Sequence, residues 1–305
     1  MRSITALPNL LTLANAFCGL LALSKGIDAL ALSPGDPALF YAKLETACWL
    51  ILLGGVFDSL DGRVARLTGG ASAFGAQLDS FSDALTFGAA PALLAKVLLE
   101  HEGPLTGAPG NPRLHFVVVA LFALMAILRL ARFNLETDVD ESSHRDFRGL
   151  PSPAAAGAVI STILFYLAMS RPEQLEIDDG TPTPFGSMLA LFPELHVPVP
   201  SWFLPGFAAY LALLGFLMVS NVRYVHLMSF VTRRGSFYGF VFMVFLCVTF
   251  FAAPIPWLFL TTHAFVLGGL IRHFWRRPGA PTGGPPDDED TGGFTRKAFE
   301  ESLGT

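Results

Sequence analysis

Four aspartates, Asp58, Asp61, Asp79 and Asp83, stand close together in a chain that is otherwise strongly apolar. The first two are three residues apart and the last two are four apart, so each pair shares one face of a helix. Charged side chains at membrane depth are costly and usually functional. Converging carboxylates repel one another, and two divalent cations that prefer oxygen ligands, Mg²⁺ or Mn²⁺, would neutralise them. The spacing therefore predicts a metal site.

The composition predicts that this site belongs to an integral membrane protein. The chain has 305 residues, of which 52% are hydrophobic and 15% are charged, whereas a soluble protein carries roughly a quarter charged residues. Many apolar runs reach the ~20 residues that a helix needs to cross a bilayer. The expected fold class is therefore an all-α, polytopic bundle of transmembrane helices.

About eight transmembrane helices are predicted from the lengths of the apolar runs. They lie near 9–32, 39–59, 79–99, 114–133, 151–170, 205–221, 236–253 and 256–274. Polar residues and Pro8 interrupt the first run, which favours an uncleaved helix over a signal peptide. A short interfacial helix, "SMLALFPEL", is predicted in the loop 171–204, and the composition after Arg277 is typical of disorder.

The distribution of basic residues predicts the orientation. Most arginines fall in segments on the same side as the N-terminus, and basic residues concentrate on the cytoplasmic side of a membrane. Both termini and the aspartates are therefore expected at the cytoplasmic face of the cell membrane. The seven histidines share no metal-ligand spacing, and the three cysteines lie in apolar runs, which is typical of buried free thiols.

The elements that must position the aspartates are the second and third predicted helices. Asp58 and Asp61 end the second, Asp79 and Asp83 begin the third, and the glycine-rich connector "LTGGASAF" is short. We expect the two helices to pack as an antiparallel hairpin with their acidic faces opposed. The small residues on these faces leave two readings open, close approach of a ligand or tight packing of helices.

The segment from Asp58 to Asp83 fits the pattern D-x2-D-G-x2-A-R-x8-G-x3-D-x3-D. This pattern resembles the signature of the CDP-alcohol phosphotransferases, membrane enzymes that join a CDP-activated alcohol to a second alcohol and release CMP. The resemblance implies a six-helix catalytic core over 1–221. The apolar runs beyond it predict an additional helix pair over 222–277, and the composition predicts a disordered tail over 278–305. The resemblance also implies a homodimer, no organic cofactor and no nucleic-acid partner.

Further stretches resemble one branch of that family, the bacterial and archaeal phosphatidylserine synthases. They are "LPNLLTLANAFCGLLAL", "LRLARFN", "FRGLPSPAAAG" and "MVSNVRY". Such enzymes transfer a phosphatidyl group from CDP-diacylglycerol to L-serine. A sibling enzyme that uses glycerol 3-phosphate or inositol phosphate is one alternative. An ion or proton transporter with an aspartate relay is another, although the chain has no evident inverted repeat.

The resemblance assigns roles to individual residues. Asp58, Asp61 and Asp79 would hold the metals, and Asp83 would be both a ligand and the general base. The residues implied for CDP-diacylglycerol are Asn9, Thr12, Gly62, Ala65, Arg66, Ser72 and Gly75. Asn9 and Thr12 could equally be an ordinary helix start after Pro8.

The acceptor brings a carboxylate that needs a cationic partner, and arginine binds carboxylates in a bidentate geometry. Arg132, Arg148 and Arg223 are the candidates for this role. Anchoring of the chain at the cytoplasmic face is the alternative reading for these arginines.

Overall fold

The computed structural model describes residues 6–32, 36–68, 72–107, 110–139, 147–170, 200–224, 249 and 253–275. Across these ranges the chain is largely helical, with one short antiparallel strand pair, β1 Phe147–Arg148 with β2 Arg223–Tyr224. The helices are α1 Ala6–Leu32, α2 Pro37–Thr68, α3 Ala73–Asp83, α4 Ala90–Leu105, α5 Pro112–Val139, α6 Ser152–Ser170, α7 Phe203–Val219 and α8 Pro254–Trp275. A π-helical segment, Ala84–Ala89, joins α3 to α4.

The predicted fold class is confirmed. Within the described residues, six helical stretches are long and apolar enough to cross a membrane, and α7 is a shorter apolar helix of 17 residues. The chain is therefore a multi-pass helical membrane protein. Nearly all of the predicted helix 236–253 lies outside the described residues, as do the predicted interfacial helix and the tail 278–305.

The third predicted helix is not a regular α-helix, because the π-helical segment follows Asp83 directly. Thr86 in this segment is fully buried, and its hydroxyl donates to the Asn15 carbonyl of α1 at 3.0 Å. A Cβ on Gly19 would lie 2.5 Å from Thr86 Oγ1, and a Cβ on Gly54 would lie 2.7 Å from Thr86 Cγ2. The two glycines thus admit Thr86 between α1 and α2, at a kind of helical irregularity that is frequent at functional sites.

The expected hairpin between α2 and α3 is wrong in one respect. The two helices pack mainly against α1, with α1–α2 the most extensive helix contact, and not mainly against each other. Their acidic faces meet through the side chains of Asp58, Asp61 and Asp79, whose oxygens approach within 4.8 Å of one another. The physical reason is the polar face of α1, where Thr12 and Asn15 hydrogen-bond to side chains of both neighbours.

Candidate active site

Three of the four aspartates form a compact group of carboxylates. One oxygen from each of Asp58, Asp61 and Asp79 lies within 4.8 Å of the others. Asp61 is buried, and the Oδ1 atom of Asp79 is buried with no hydrogen-bond partner among the described residues. A buried anionic oxygen without a partner is costly, and an oxygen-only donor set suits a hard cation such as Mg²⁺ or Mn²⁺. The residues present therefore fit a divalent metal.

Asp83 lies beside this group but has a different environment. It is 8% exposed, its Oδ1 accepts a hydrogen bond from Asn15 Nδ2 at 3.1 Å, and its charge interacts with those of the other three aspartates. Asn15 is fully buried, and its own Oδ1 has no partner among the residues that the structure describes. The amide of Asn15 therefore helps to orient Asp83, which also contacts the carboxyl group of Asp58.

Helix α1 supplies further polar contacts to the site. The Thr12 hydroxyl lies 2.8 Å from Asp61 Oδ2 and 3.0 Å from the Pro8 carbonyl, and Ser82 Oγ donates to the Thr12 carbonyl at 3.1 Å. Helix α5 joins at the same level, because Asn134 Nδ2 donates to Ser80 Oγ at 2.8 Å. These contacts hold the neighbouring helices in one arrangement around the carboxylates.

A pocket opens next to the carboxylates and is bordered by Asp61 and Asp79. Six of the seven residues predicted for CDP-diacylglycerol line it: Asn9, Thr12, Gly62, Ala65, Ser72 and Gly75. Ser72 caps α3, because its Oγ accepts from the Gly75 backbone N–H at 3.0 Å. The amino end of α3 therefore faces a pocket, and such ends attract phosphate groups.

The two glycines at the pocket differ in how much free space surrounds the position of a Cβ atom. Among the described residues, a Cβ on Gly62 would meet nothing within 4 Å, whereas a Cβ on Gly75 would lie 3.1 Å from both Asn9 Oδ1 and Ser72 Oγ. Packing against the described residues therefore does not account for Gly62, which lines the pocket. For Gly75, close packing of the neighbouring polar side chains is sufficient reason for a glycine.

Arg66 is the one residue of that set that does not line the pocket. Its side chain is exposed and runs along α2, where Nε donates to the Gly62 carbonyl at 3.0 Å. Within the described part of the chain it forms no salt bridge. Its charge is thus available one helical turn from the open side of Gly62.

The three arginines predicted for the acceptor converge on one corner of the fold. Arg148 and Arg223 are directly paired in the β1–β2 ladder. Arg132 of α5 reaches the same corner, where Nη1 donates to the Val219 carbonyl at 3.2 Å and Nη2 to Asn221 Oδ1 at 3.1 Å. Because Val219 and Asn221 lie at the end of α7, these bonds hold that end in place. They use two of the five N–H donors of the guanidinium.

Asn15 and Thr86 were not predicted as site residues. One signal was present in the sequence: Asn15 follows Thr12 at helical spacing within an apolar run, and a polar residue at membrane depth points to function. The role of Thr86 depends on the π-helical segment, for which the sequence carries no comparable signal.

Comparisons with known proteins agree with the geometry. A curated CDP-diacylglycerol–serine O-phosphatidyltransferase from Helicobacter pylori is 29% identical over 272 residues, which cover 87% of this chain and 90% of the relative. An archaetidylserine synthase from Methanothermobacter thermautotrophicus is 38% identical over 55% of this chain and 63% of its own length. A Bacillus subtilis protein with the same name as the first is 31% identical over 50% of this chain and 73% of its own length.

The sequence profile described as CDP-alcohol phosphatidyltransferase matches residues 5–184. These residues include α1 to α6, all four aspartates and every residue that lines the pocket. The match leaves the transporter alternative without support, because the region that holds all four aspartates matches a family of transferases. The chain belongs to the CDP-alcohol phosphatidyltransferase family.

Proposed function

We propose that the protein transfers a phosphatidyl group from CDP-diacylglycerol to the hydroxyl of L-serine, giving phosphatidylserine and CMP. The observation that carries this proposal is the group of carboxylates from Asp58, Asp61 and Asp79 beside an open pocket. The choice of serine is supported by the names of the relatives, one of which aligns with 87% of this chain.

Asp58, Asp61 and Asp79 would hold the divalent cations, Mg²⁺ or Mn²⁺, and Asp83 would complete their ligands. Bound cations neutralise the diphosphate and polarise the phosphorus under attack. The chain itself contributes the open side of Gly62, the hydroxyl of Ser72 at the amino end of α3, and the charge of Arg66. These groups can receive the cytidine diphosphate head while the acyl chains stay in the bilayer.

Asp83 is the proposed general base. Asn15 donates a hydrogen bond to its Oδ1, and the carboxylate of Asp83 is the group that would accept the proton. The serine oxygen forms a bond to the phosphorus that carries the diacylglycerol, the bond from that phosphorus to the CMP oxygen breaks, and the serine proton passes to Asp83. A buried carboxylate that Asn15 helps to orient is well placed for this transfer.

An acceptor panel with purified protein and CDP-diacylglycerol tests the proposal. CMP release is measured with serine, glycerol 3-phosphate, inositol phosphate or water alone. We expect release to depend on serine and the product to be phosphatidylserine. Product with glycerol 3-phosphate and none with serine would refute serine as the acceptor and leave the family membership intact.

Gly62→Ala is expected to weaken CDP-diacylglycerol binding without loss of stability. An alanine in a helix interior is about 0.5–1 kcal/mol more favourable than glycine, and within the part of the chain that the structure describes the new methyl group meets no atom within 4 Å. It would project into the space for the ligand, and a small steric overlap costs roughly tenfold in affinity. Binding by titration and thermal unfolding of the same sample measure both effects.

Gly54→Ala is the matched control for that variant. Its Cβ would lie 2.7 Å from Thr86 Cγ2 and 2.9 Å from Asn15 Oδ1, so it should lower the unfolding temperature. If Gly62→Ala also lowered the unfolding temperature and left binding unchanged, Gly62 would have a packing role instead.

We also propose that the protein lies in the cell membrane with both termini and the site on the cytoplasmic side. A reporter fused after Arg277 should then be cytoplasmic, and one inserted at Gly180 should be external. A cytoplasmic signal from Gly180 would contradict the predicted number of spans. The predicted homodimer is tested separately by the mass of the detergent-solubilised protein.

A further inference from the structure

Helix α8 packs against the strand pair that carries Arg148 and Arg223. Tyr224 ends β2, is 1% exposed, and its ring lies 5.4 Å from the ring of Phe265 in α8. A Cβ on Gly269 would lie 2.1 Å from Tyr224 Cε1 and 2.4 Å from Cδ1. The ring of Tyr224 therefore rests directly on the backbone of α8, and only glycine leaves room for it there.

The opposite side of this strand pair is held by backbone contacts. Gly149 has a positive φ of 83°, its N–H donates to the Val222 carbonyl at 2.9 Å, and a Cβ there would lie 2.3 Å from the Met218 carbonyl oxygen. Leu150 N–H donates to the Leu217 carbonyl, also at 2.9 Å. The strand pair is thus fixed on one side by the end of α7 and on the other by the contact of Tyr224 with α8.

The contribution of Tyr224 is the shape of its ring and not its hydroxyl. The hydroxyl is buried and has no hydrogen-bond partner among the described residues. Burial raises the pKa of Tyr224 to about 12, so the phenol stays neutral. A displacement of the ring would move β2 and, through the ladder that pairs Phe147 with Tyr224 and Arg148 with Arg223, β1 as well.

We propose that α8 is a positioning element for the acceptor, with Gly269 as the residue that admits the ring of Tyr224 and so sets the position of the Arg148–Arg223 pair. This inference rests on the proposed function, in which these arginines bind the carboxylate of serine. It gives a role to a helix that lies beyond the residues matched by the family profile, 5–184. Gly269 and Tyr224 act through the arginines and do not touch the substrate.

Gly269→Ala and Gly268→Ala in the full chain form a matched pair of variants. They are adjacent glycines of one helix, but a Cβ on Gly268 would meet no atom of the described residues within 4 Å. We expect Gly269→Ala to raise the KM for serine about tenfold, the effect of weakening one charge-assisted hydrogen bond. The KM for CDP-diacylglycerol should stay unchanged, because the pocket and the aspartates lie on other helices. Gly268→Ala should match the unmodified protein in both constants.

A double variant distinguishes the specific contact from general damage to α8. Tyr224→Val removes the ring atoms that a methyl group at position 269 would strike, so adding Gly269→Ala to Tyr224→Val should change the KM for serine no further. If Gly269→Ala prevents folding, Phe265→Leu takes its place. It removes the second ring against Tyr224 and should raise the same KM to a smaller extent.

The outcomes separate this inference from the proposed function. Suppose that the unmodified protein uses serine, and that the KM for serine is unchanged in Gly269→Ala (or in Phe265→Leu, if that variant takes its place). In that case α8 has no positioning role, and the proposed function stands. An equal rise in both substrate constants would also overturn the inference, because it would indicate a general loss of structure. If the unmodified protein does not use serine, the proposed function fails first, and the inference fails with it.

Discussion

Asp83→Asn is expected to lower turnover with serine by about 10²–10⁴-fold, the typical contribution of a positioned general base, while CDP-diacylglycerol still binds. The substitution is nearly isosteric. The side-chain amide of Asn15 donates to Asp83 through Nδ2, and the Oδ1 atom of Asn15 has no partner among the described residues. A flipped Asn15 amide can therefore accept from the new amide, so the fold around position 83 should persist. Binding by titration and CMP release at saturating metal, measured on one sample, test this expectation.

Asp28→Asn is the control for Asp83→Asn. Asp28 lies on α1 away from the site and pairs with Lys43 at a distance of 3.4 Å, a partly exposed contact that is worth little. We expect near-normal turnover from this variant. Near-normal turnover of Asp83→Asn as well would contradict the role of Asp83 as base, and another group would have to accept the serine proton.

Asp58→Asn is expected to raise the concentration of Mg²⁺ or Mn²⁺ that gives half-maximal turnover by at least about tenfold. Even changes to groups that only contact metal ligands cost 10–100-fold in metal affinity, and this change replaces an anionic oxygen of the three-carboxylate group by a neutral amide. High metal concentrations should restore part of the activity. Turnover as a function of metal concentration, after removal of metal with a chelator, gives the shift directly.

The contrast between the two variants separates metal binding from proton transfer. Excess metal should rescue Asp58→Asn in part, and it should not rescue Asp83→Asn. Full turnover of the unmodified protein after exhaustive chelation would refute the requirement for divalent cations.

The positions of the spans and the acidic residues could be predicted from local sequence. Seven of the eight predicted spans coincide with described helices, because a run of ~20 apolar residues has few alternatives to a helix in a bilayer. The spacing predicts that the four aspartates converge, and the structure brings the carboxylates of Asp58, Asp61 and Asp79 together with Asp83 beside them. Their spacing on two consecutive helices already carried that information.

The partners of the aspartates could not be predicted in the same way. The hairpin hypothesis placed α2 directly against α3, whereas α1 is the main contact of both. Helix α1 has a nearly uniform apolar composition apart from a few polar side chains. Its rotation and depth follow from hydrogen bonds such as Thr12 to Asp61 and Asn15 to Asp83, which join residues far apart in sequence.

By itself, then, the sequence determined that this is a membrane protein with four carboxylates at one end of two helices, since both features follow from residue type and spacing within a short window. Tertiary structure decided which of these carboxylates group together, that Asn15 orients Asp83, and that Tyr224 rests on Gly269. Those outcomes depend on how closely separate helices approach. Small residues such as Gly19, Gly54 and Gly269 allow two helices to come close where a side chain of the neighbouring segment fits against the glycine. Which side chain that is becomes known only from the tertiary structure.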